Sequence, residues 1–176
     1  MVREGEKVDL GRLGSATLVR EPRNTSVDAV EFEFALEPGA TGPPPHFHPH
    51  QEERWEVLEG VLDLRIAGSR QQLRAGESIG ISPGTVHSFR NGSGEAVRFR
   101  DVHTPALGFQ RYIEQLAAIL IAGPERDPRT LLRLARLVAA QGDDQRPAGT
   151  LSRAGILAGG FTARMLGLEV PEPAQG

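Results

Sequence analysis

The stretch that decides the fold is Pro43–Gly60, PPPHFHPHQEERWEVLEG. It holds three of the chain's five histidines, His46, His48 and His50, then Glu52 and Glu53, then an alternating run closed by a glycine. Residues i and i+2 of an extended strand point to the same side, so His46 and His48 aim two imidazoles at one point. Paired imidazoles with a carboxylate close behind suit a metal ion. A single histidine is more often a surface or structural residue, so the weight rests on the joint spacing.

Moving outward, strand parity puts Glu53, Trp55 and Val57 on one side of the run and Glu52, Arg54 and Glu56 on the other. The apolar side is the interior, which selects Glu53 over Glu52. By the same rule His50 is a loop histidine near the mouth, still open to substrate contact. Upstream, residues 13–20 read as a strand, 21–26 as a turn, and 27–36 as a strand with Val30, Phe32, Phe34 and Leu36 on its apolar face. Residues 38–45, rich in glycine and proline, form a loop that delivers His46.

Downstream, short strands are expected at 53–58, 61–66, 70–74, 78–81, 86–90 and 96–102, separated by glycine or polar turns. Even spacing of short strands argues for a sandwich or barrel. After His103 the period becomes helical. Thr104-Pro105 opens a helix carrying Phe109, Ile113, Leu116 and Leu120 and stopped by Gly123-Pro124; Asp127-Pro128 opens a second; a third runs over 150–166. The fold class is therefore mainly β, an antiparallel barrel followed by three C-terminal helices. The expected division is a barrel domain over 1–104, a helical extension over 105–170 and a disordered tail over 171–176.

A second constellation follows the first: Gly76, five residues, Ser82-Pro83-Gly84, two residues, His87, three residues, Asn91. With His46-x-His48, four residues, Glu53, six residues and Gly60, the pattern resembles the cupins. Their two motifs are G-x5-H-x-H-x3,4-E-x6-G and G-x5-P-x-G-x2-H-x3-N, and the resemblance covers residues 27–103. It implies a jelly-roll barrel and a single divalent metal (Fe, Mn, Ni, Cu, Co or Zn) held by His46, His48, Glu53 and His87, with Glu53 also the catalytic base. Three departures stand out. Gly39 lies one residue too far upstream, Ser82 replaces the first proline of the turn, and Glu56 takes a place where an aromatic residue is usual. None removes a ligand.

Parity also nominates an apolar cavity around the metal, with Phe34, Trp55, Phe89 and Phe99 as candidate substrate-pocket residues beside His50; simple core packing is the competing fate for the aromatics. Asp101 and His103 share the parity of Val97 and Phe99, which leaves both open as polar pocket groups. For His103 the expectation is a structural histidine at the strand-to-helix corner.

Composition sets the outer bounds. At 176 residues, 39% hydrophobic and 24% charged, with net charge −3, the chain is an ordinary globular sequence with no basic surplus for nucleic acid. The absence of cysteine excludes thiolate ligands, disulfides and thiol nucleophiles. The apolar stretch between Arg153 and Arg164 is about half the roughly 20 residues a membrane span needs. The N-terminus has no apolar signal-type run, so a cytoplasmic location is expected. The helical extension needs a partner surface, either one barrel opening or a second subunit, and a homodimer is expected. The resemblance implies a metal-dependent dioxygenase or similar oxidoreductase acting on a small organic molecule. The alternatives are a metallo-cupin that binds or senses a small molecule without turnover, and a metal-assisted isomerase or hydrolase.

Overall fold

The computed structural model describes residues 1–22, 28–124, 126–142 and 144–172. The described residues form eleven strands: β1 Lys7–Asp9, β2 Gly14–Arg20, β3 Val30–Leu36, β4 His46–Phe47, β5 Glu52–Glu59, β6 Val61–Ile66, β7 Ser69–Arg74, β8 Ser78–Ile81, β9 His87–Arg90, β10 Val97–Thr104 and β11 Arg146–Pro147. Three helices accompany them, α1 Phe109–Ala122, α2 Pro128–Ala140 and α3 Thr150–Met165. The strands form two antiparallel sheets, ordered β1-β2-β3-β10-β5-β8 and β11-β4-β9-β6-β7. The expected antiparallel barrel with three C-terminal helices is the architecture found.

The alternation read from sequence is the cause of the layering. Along β3 and β5 every second residue is buried, so Phe32, Phe34, Trp55 and Val57 enter the space between the sheets while Glu31, Arg54 and Glu56 stay outside. Phe32, Trp55 and Phe99 are the largest fully buried side chains, each contributing about 1.5–3 kcal/mol by leaving water. The outer face of the large sheet is laced with ion pairs. Arg100 on β10 reaches Glu31 at 2.8 Å on one side and Glu56 at 3.2 Å on the other. That accounts for the unusual Glu56, which is an outward-facing partner of a neighbouring arginine.

Two glycines are required by backbone geometry. Gly60, in the hairpin between β5 and β6, has φ +81°, and an added Cβ would stand 3.1 Å from Ala96 O. Gly14 has φ +116°, and there a Cβ would fall 1.9 Å from Ala35 O. The helix signals are met at α2, where Asp127 caps the first turn by accepting from Thr130 N at 3.0 Å and Pro128 occupies the first position. The first helix begins later than the sequence suggests. β10 continues through Thr104, Thr104-Pro105 is a cis bond, and buried Gln51 holds the corner by donating to Pro105 O at 2.8 Å and Ala106 O at 3.0 Å.

The helical segment is woven into the barrel. α1 lays Phe109 edge-on against Phe32, with ring centres 5.9 Å apart. Beyond α2 the chain returns as β11, pairing Arg146 with Phe47 and Pro147 with His46. α3 packs on α2 through Gly159 and Gly160, which face Ala135 and Ala139. Of the expected disordered tail, residues 173–176 lie outside the described residues, and Glu172 pairs with Arg111 at 3.2 Å.

Candidate metal centre

Three strands bring the site together. β4 carries His46, with His48 just past its end; β5 carries Glu53; β9 carries His87, which pairs directly with His46 across the sheet. All four side chains are buried, between 1% and 5% exposed. His46, His48 and His87 can offer ligand atoms within 4.8 Å of one another, and so can His48, Glu53 and His103.

The hydrogen bonds fix which nitrogen each imidazole presents. His46 Nδ1 lies 3.0 Å from Pro44 O, His48 Nδ1 2.6 Å from Asp144 O, and His87 Nδ1 2.8 Å from Thr85 O. A carbonyl only accepts, so each Nδ1 carries the proton and donates, leaving each Nε2 as a lone pair turned inward. These groups are crowded: His87 Nε2 is 3.1 Å from His46 Nε2 and 2.7 Å from Glu53 Oε2. His48 Nε2 has no hydrogen-bond partner among the described residues and lies 3.8 Å from Glu53 Oε1. Four electron-pair donors converging in a buried space repel one another unless a cation sits among them, either a proton shared between His87 and Glu53 or a metal ion. Nitrogen and carboxylate donors with backbone-anchored imidazoles fit a divalent first-row metal, and the chemistry does not choose among them.

The titration of the metal-free site carries the same imprint. Burial, together with His87 nearby, lowers His46 to about 3, and burial lowers His48 to about 4 despite Glu53. Burial alone would raise Glu53, but His103 and His87 outweigh it and hold the carboxylate well below its usual range. Burial likewise opposes charge on His87, and the Glu53 carboxylate overcomes it and raises that histidine.

His103 stands at the expected strand-to-helix corner, next to last in β10, and from there also reaches the site. It is fully buried, sits opposite Glu53 in the β10–β5 register, and places Nε2 3.2 Å from both Glu53 Oε1 and Asp101 Oδ2. Burial works against its charge, yet Asp101 and Glu53 push it up to about 10. Asp101 is raised, chiefly by burial, with His103 opposing. The signal was present in the alternation of Val97, Phe99, Asp101 and His103, all buried; base rates for isolated histidines pointed the other way. Asp144, which anchors His48 through its backbone carbonyl, left no signal, because that role is independent of side chain.

The candidate pocket residues divide. Phe34 and Phe89 line a cavity of about 50 Å³ beside His46, Glu53 and Asp101, closed from the other side by Phe109, Tyr112, Ile113, Leu116 and Gln145. Trp55 and Phe99 are fully buried behind it, Trp55 with its ring centre 5.4 Å from those of Phe89 and His87. His50 is exposed and is not among the cavity's lining residues. Among the lining residues the sequence did not nominate, Tyr112 and Gln145 come from the helical extension. No helix among the described residues is long and apolar enough to cross a membrane.

Comparison with known proteins fits this geometry. Residues 32–103 match the family model described as Cupin domain. The chain is 34% identical over 106 residues to the HTH-type transcriptional regulator PuuR of Escherichia coli K12, covering 60% of this chain and 56% of the regulator. It is 37% identical over 89 residues to the quercetin 2,3-dioxygenase of Bacillus subtilis 168, covering 49% of this chain and 25% of the enzyme. The chain thus spans about half, or less, of the length of these curated relatives. Among solved structures, KdgF from Halomonas sp. superposes with a TM-score of 0.51 at 18% identity, covering 60% of this chain and 90% of that one, a likeness of fold. The matched domain, the two-sheet barrel and the shared fold together place a cupin domain over residues 32–103 of this chain.

Proposed function

We propose that the chain is a metal-dependent oxidoreductase of dioxygenase type that acts on a small, largely apolar organic substrate. The observation that carries this reading is the convergence of three imidazole lone pairs and the Glu53 carboxylate at the edge of an apolar cavity. His46, His48, Glu53 and His87 would hold the metal. Once bound, it would supply a Lewis acid and, for a redox-active ion, a route for electrons between substrate and dioxygen, whose two oxygen atoms end in the product.

The protein's own part is positional. Phe34, Phe89 and the α1 residues Phe109, Ile113 and Leu116 present apolar surface to the substrate and exclude water. Glu53, at the cavity's edge, is the base, and Oε2, the oxygen that does not face His103, would take the substrate's proton. A cavity of about 50 Å³ admits only a few heavy atoms, so a larger substrate requires α1 to move away from the barrel. The test is oxygen uptake by metal-loaded protein against a panel of phenols, flavonols and diketones. Uptake with at least one member, abolished in His87→Ala, is the expected result; the absence of uptake across the panel counts against the proposal, and turnover under anaerobic conditions favours isomerase or hydrolase chemistry.

A second reading, a metallo-cupin that binds a small molecule without turnover, is favoured by the likeness to a transcriptional regulator over 60% of the chain. Tight binding of a panel member without its conversion would support it. We also propose a cytoplasmic homodimer formed through α3, on which Leu151, Ala154, Ala158, Phe161 and Met165 form an exposed stripe at heptad spacing. Light scattering on Phe161→Glu tests that contact: a halved mass relative to wild type supports it, and an unchanged mass removes it.

A further inference from the structure

Asp101 and His103 belong to neither the ligand set nor the cavity's apolar wall, yet both are buried with charged partners. The β10–β5 register sets Asp101 opposite Trp55 and His103 opposite Glu53. His103 Nε2 is equidistant, at 3.2 Å, from Asp101 Oδ2 and Glu53 Oε1, so one N–H is shared between two carboxylates. The ring cannot turn freely, because it lies flat on Phe109 with centroids 3.5 Å apart and planes 22° from parallel. Its Nδ1 has no hydrogen-bond partner among the described residues, leaving Nε2 as its only engaged edge.

The two oxygens of Glu53 are thereby divided. Oε1 lies 3.2 Å from His103 Nε2 and farther, 3.8 Å, from His48 Nε2, while Oε2 faces the imidazole cluster, 2.7 Å from His87 Nε2. We propose that Asp101 and His103 form a positioning dyad that reserves Oε1 of Glu53, so that this carboxylate offers the metal a single oxygen and one coordination position is kept free for substrate. The inference rests on the reading of the cluster as a metal centre. His103 is not a ligand in it: with Nε2 turned to two carboxylates it is a donor, and a donor has no lone pair to give.

The test is cobalt(II) titration of the full-length protein, followed by visible absorption and by metal affinity, with thermal melts of each metal-free variant to verify folding. His103→Gln keeps an N–H near the position of Nε2 and is expected to retain affinity and spectrum within about threefold; His103→Phe keeps the stacking on Phe109 and removes the donor. In His103→Phe the affinity should fall by about 10- to 100-fold, and the absorption bands should weaken as the freed Oε1 joins the coordination sphere. Asp101→Asn, which loosens His103, should fall in the same direction, and it decides the matter should His103→Phe fail to fold.

A folded His103→Phe, or Asp101→Asn in its place, with wild-type affinity and spectrum overturns the dyad alone. His103→Gln losing as much as His46→Ala overturns it too, since that result makes His103 a ligand. Folded wild-type protein that binds no cobalt overturns the metal centre, and the dyad with it.

Discussion

Asn91 closes the second histidine motif without approaching the metal centre. Its buried amide donates to Leu36 O at 3.2 Å, Glu37 O at 3.1 Å and Glu95 O at 2.7 Å, tying the turn after β9 to the end of β3. Removing it strands polar backbone groups, so Asn91→Ala should lower unfolding free energy in urea by about 1–3 kcal/mol while leaving metal stoichiometry unchanged. A stable variant, or one that loses metal while folded, contradicts that assignment. At this scale the sequence was informative where chemistry and spacing coincide, as at His46, His48, Glu53 and His87. At His103 it favoured a structural corner histidine and left a polar pocket role open by parity, and the side chain is buried at that corner beside Glu53. It was silent at Asp144 and Thr85, whose contribution is a backbone carbonyl.

The elements that matter most are β5, β10 and α1. β5 delivers Glu53 and, two residues on, Trp55, whose ring lies 5.4 Å from that of His87. Trp55 is the only tryptophan, so its fluorescence is a local probe of the centre. A paramagnetic ion such as copper(II) should quench it in wild-type protein and not in His46→Ala; quenching of equal depth in both would place the ion elsewhere. α1 forms the far wall of the cavity. Phe109→Ala removes both the stacking on His103 and the contact with Phe32, and should destabilise the fold by about 3 kcal/mol, measured by thermal or urea unfolding. The long strands and the capped helix α2 were legible because period and cap signals are local. β1, β4 and β11 span only two or three residues, too few to show a period, so their pairing could be found only in three dimensions.

For the whole molecule, the buried histidines set opposing pH limits on the metal-free state. His46 and His48 titrate at about 3 and about 4 when folded, below their ordinary value of 6.5, so the unfolded chain binds more protons between those limits. Their contribution is therefore complete above pH 6.5 and lost as pH falls through 4 to 3. His103 is raised from 6.5 to about 10, so its contribution is complete below pH 6.5 and lost as pH rises toward 10. Metal-free protein should show its highest melting temperature near pH 6.5, with the alkaline decline flattened in His103→Gln. A monotonic profile would contradict the arrangement.

The general plan, a β barrel followed by helices, was readable from periodicity. What periodicity could not convey is that the extension enters the sheet at β11, lines the cavity with Tyr112 and Gln145, and supplies the carbonyl that orients His48. Those links join residues about a hundred positions apart, and no local pattern records them.

The central claim is that four convergent donors hold a metal. Elemental analysis of untagged protein, read beside His46→Ala and His87→Ala, tests it most directly. The account predicts close to one divalent ion per wild-type chain and almost none in either folded variant. Metal-free wild-type protein that takes up no divalent ion on titration, or variants that retain the wild-type content, would contradict it.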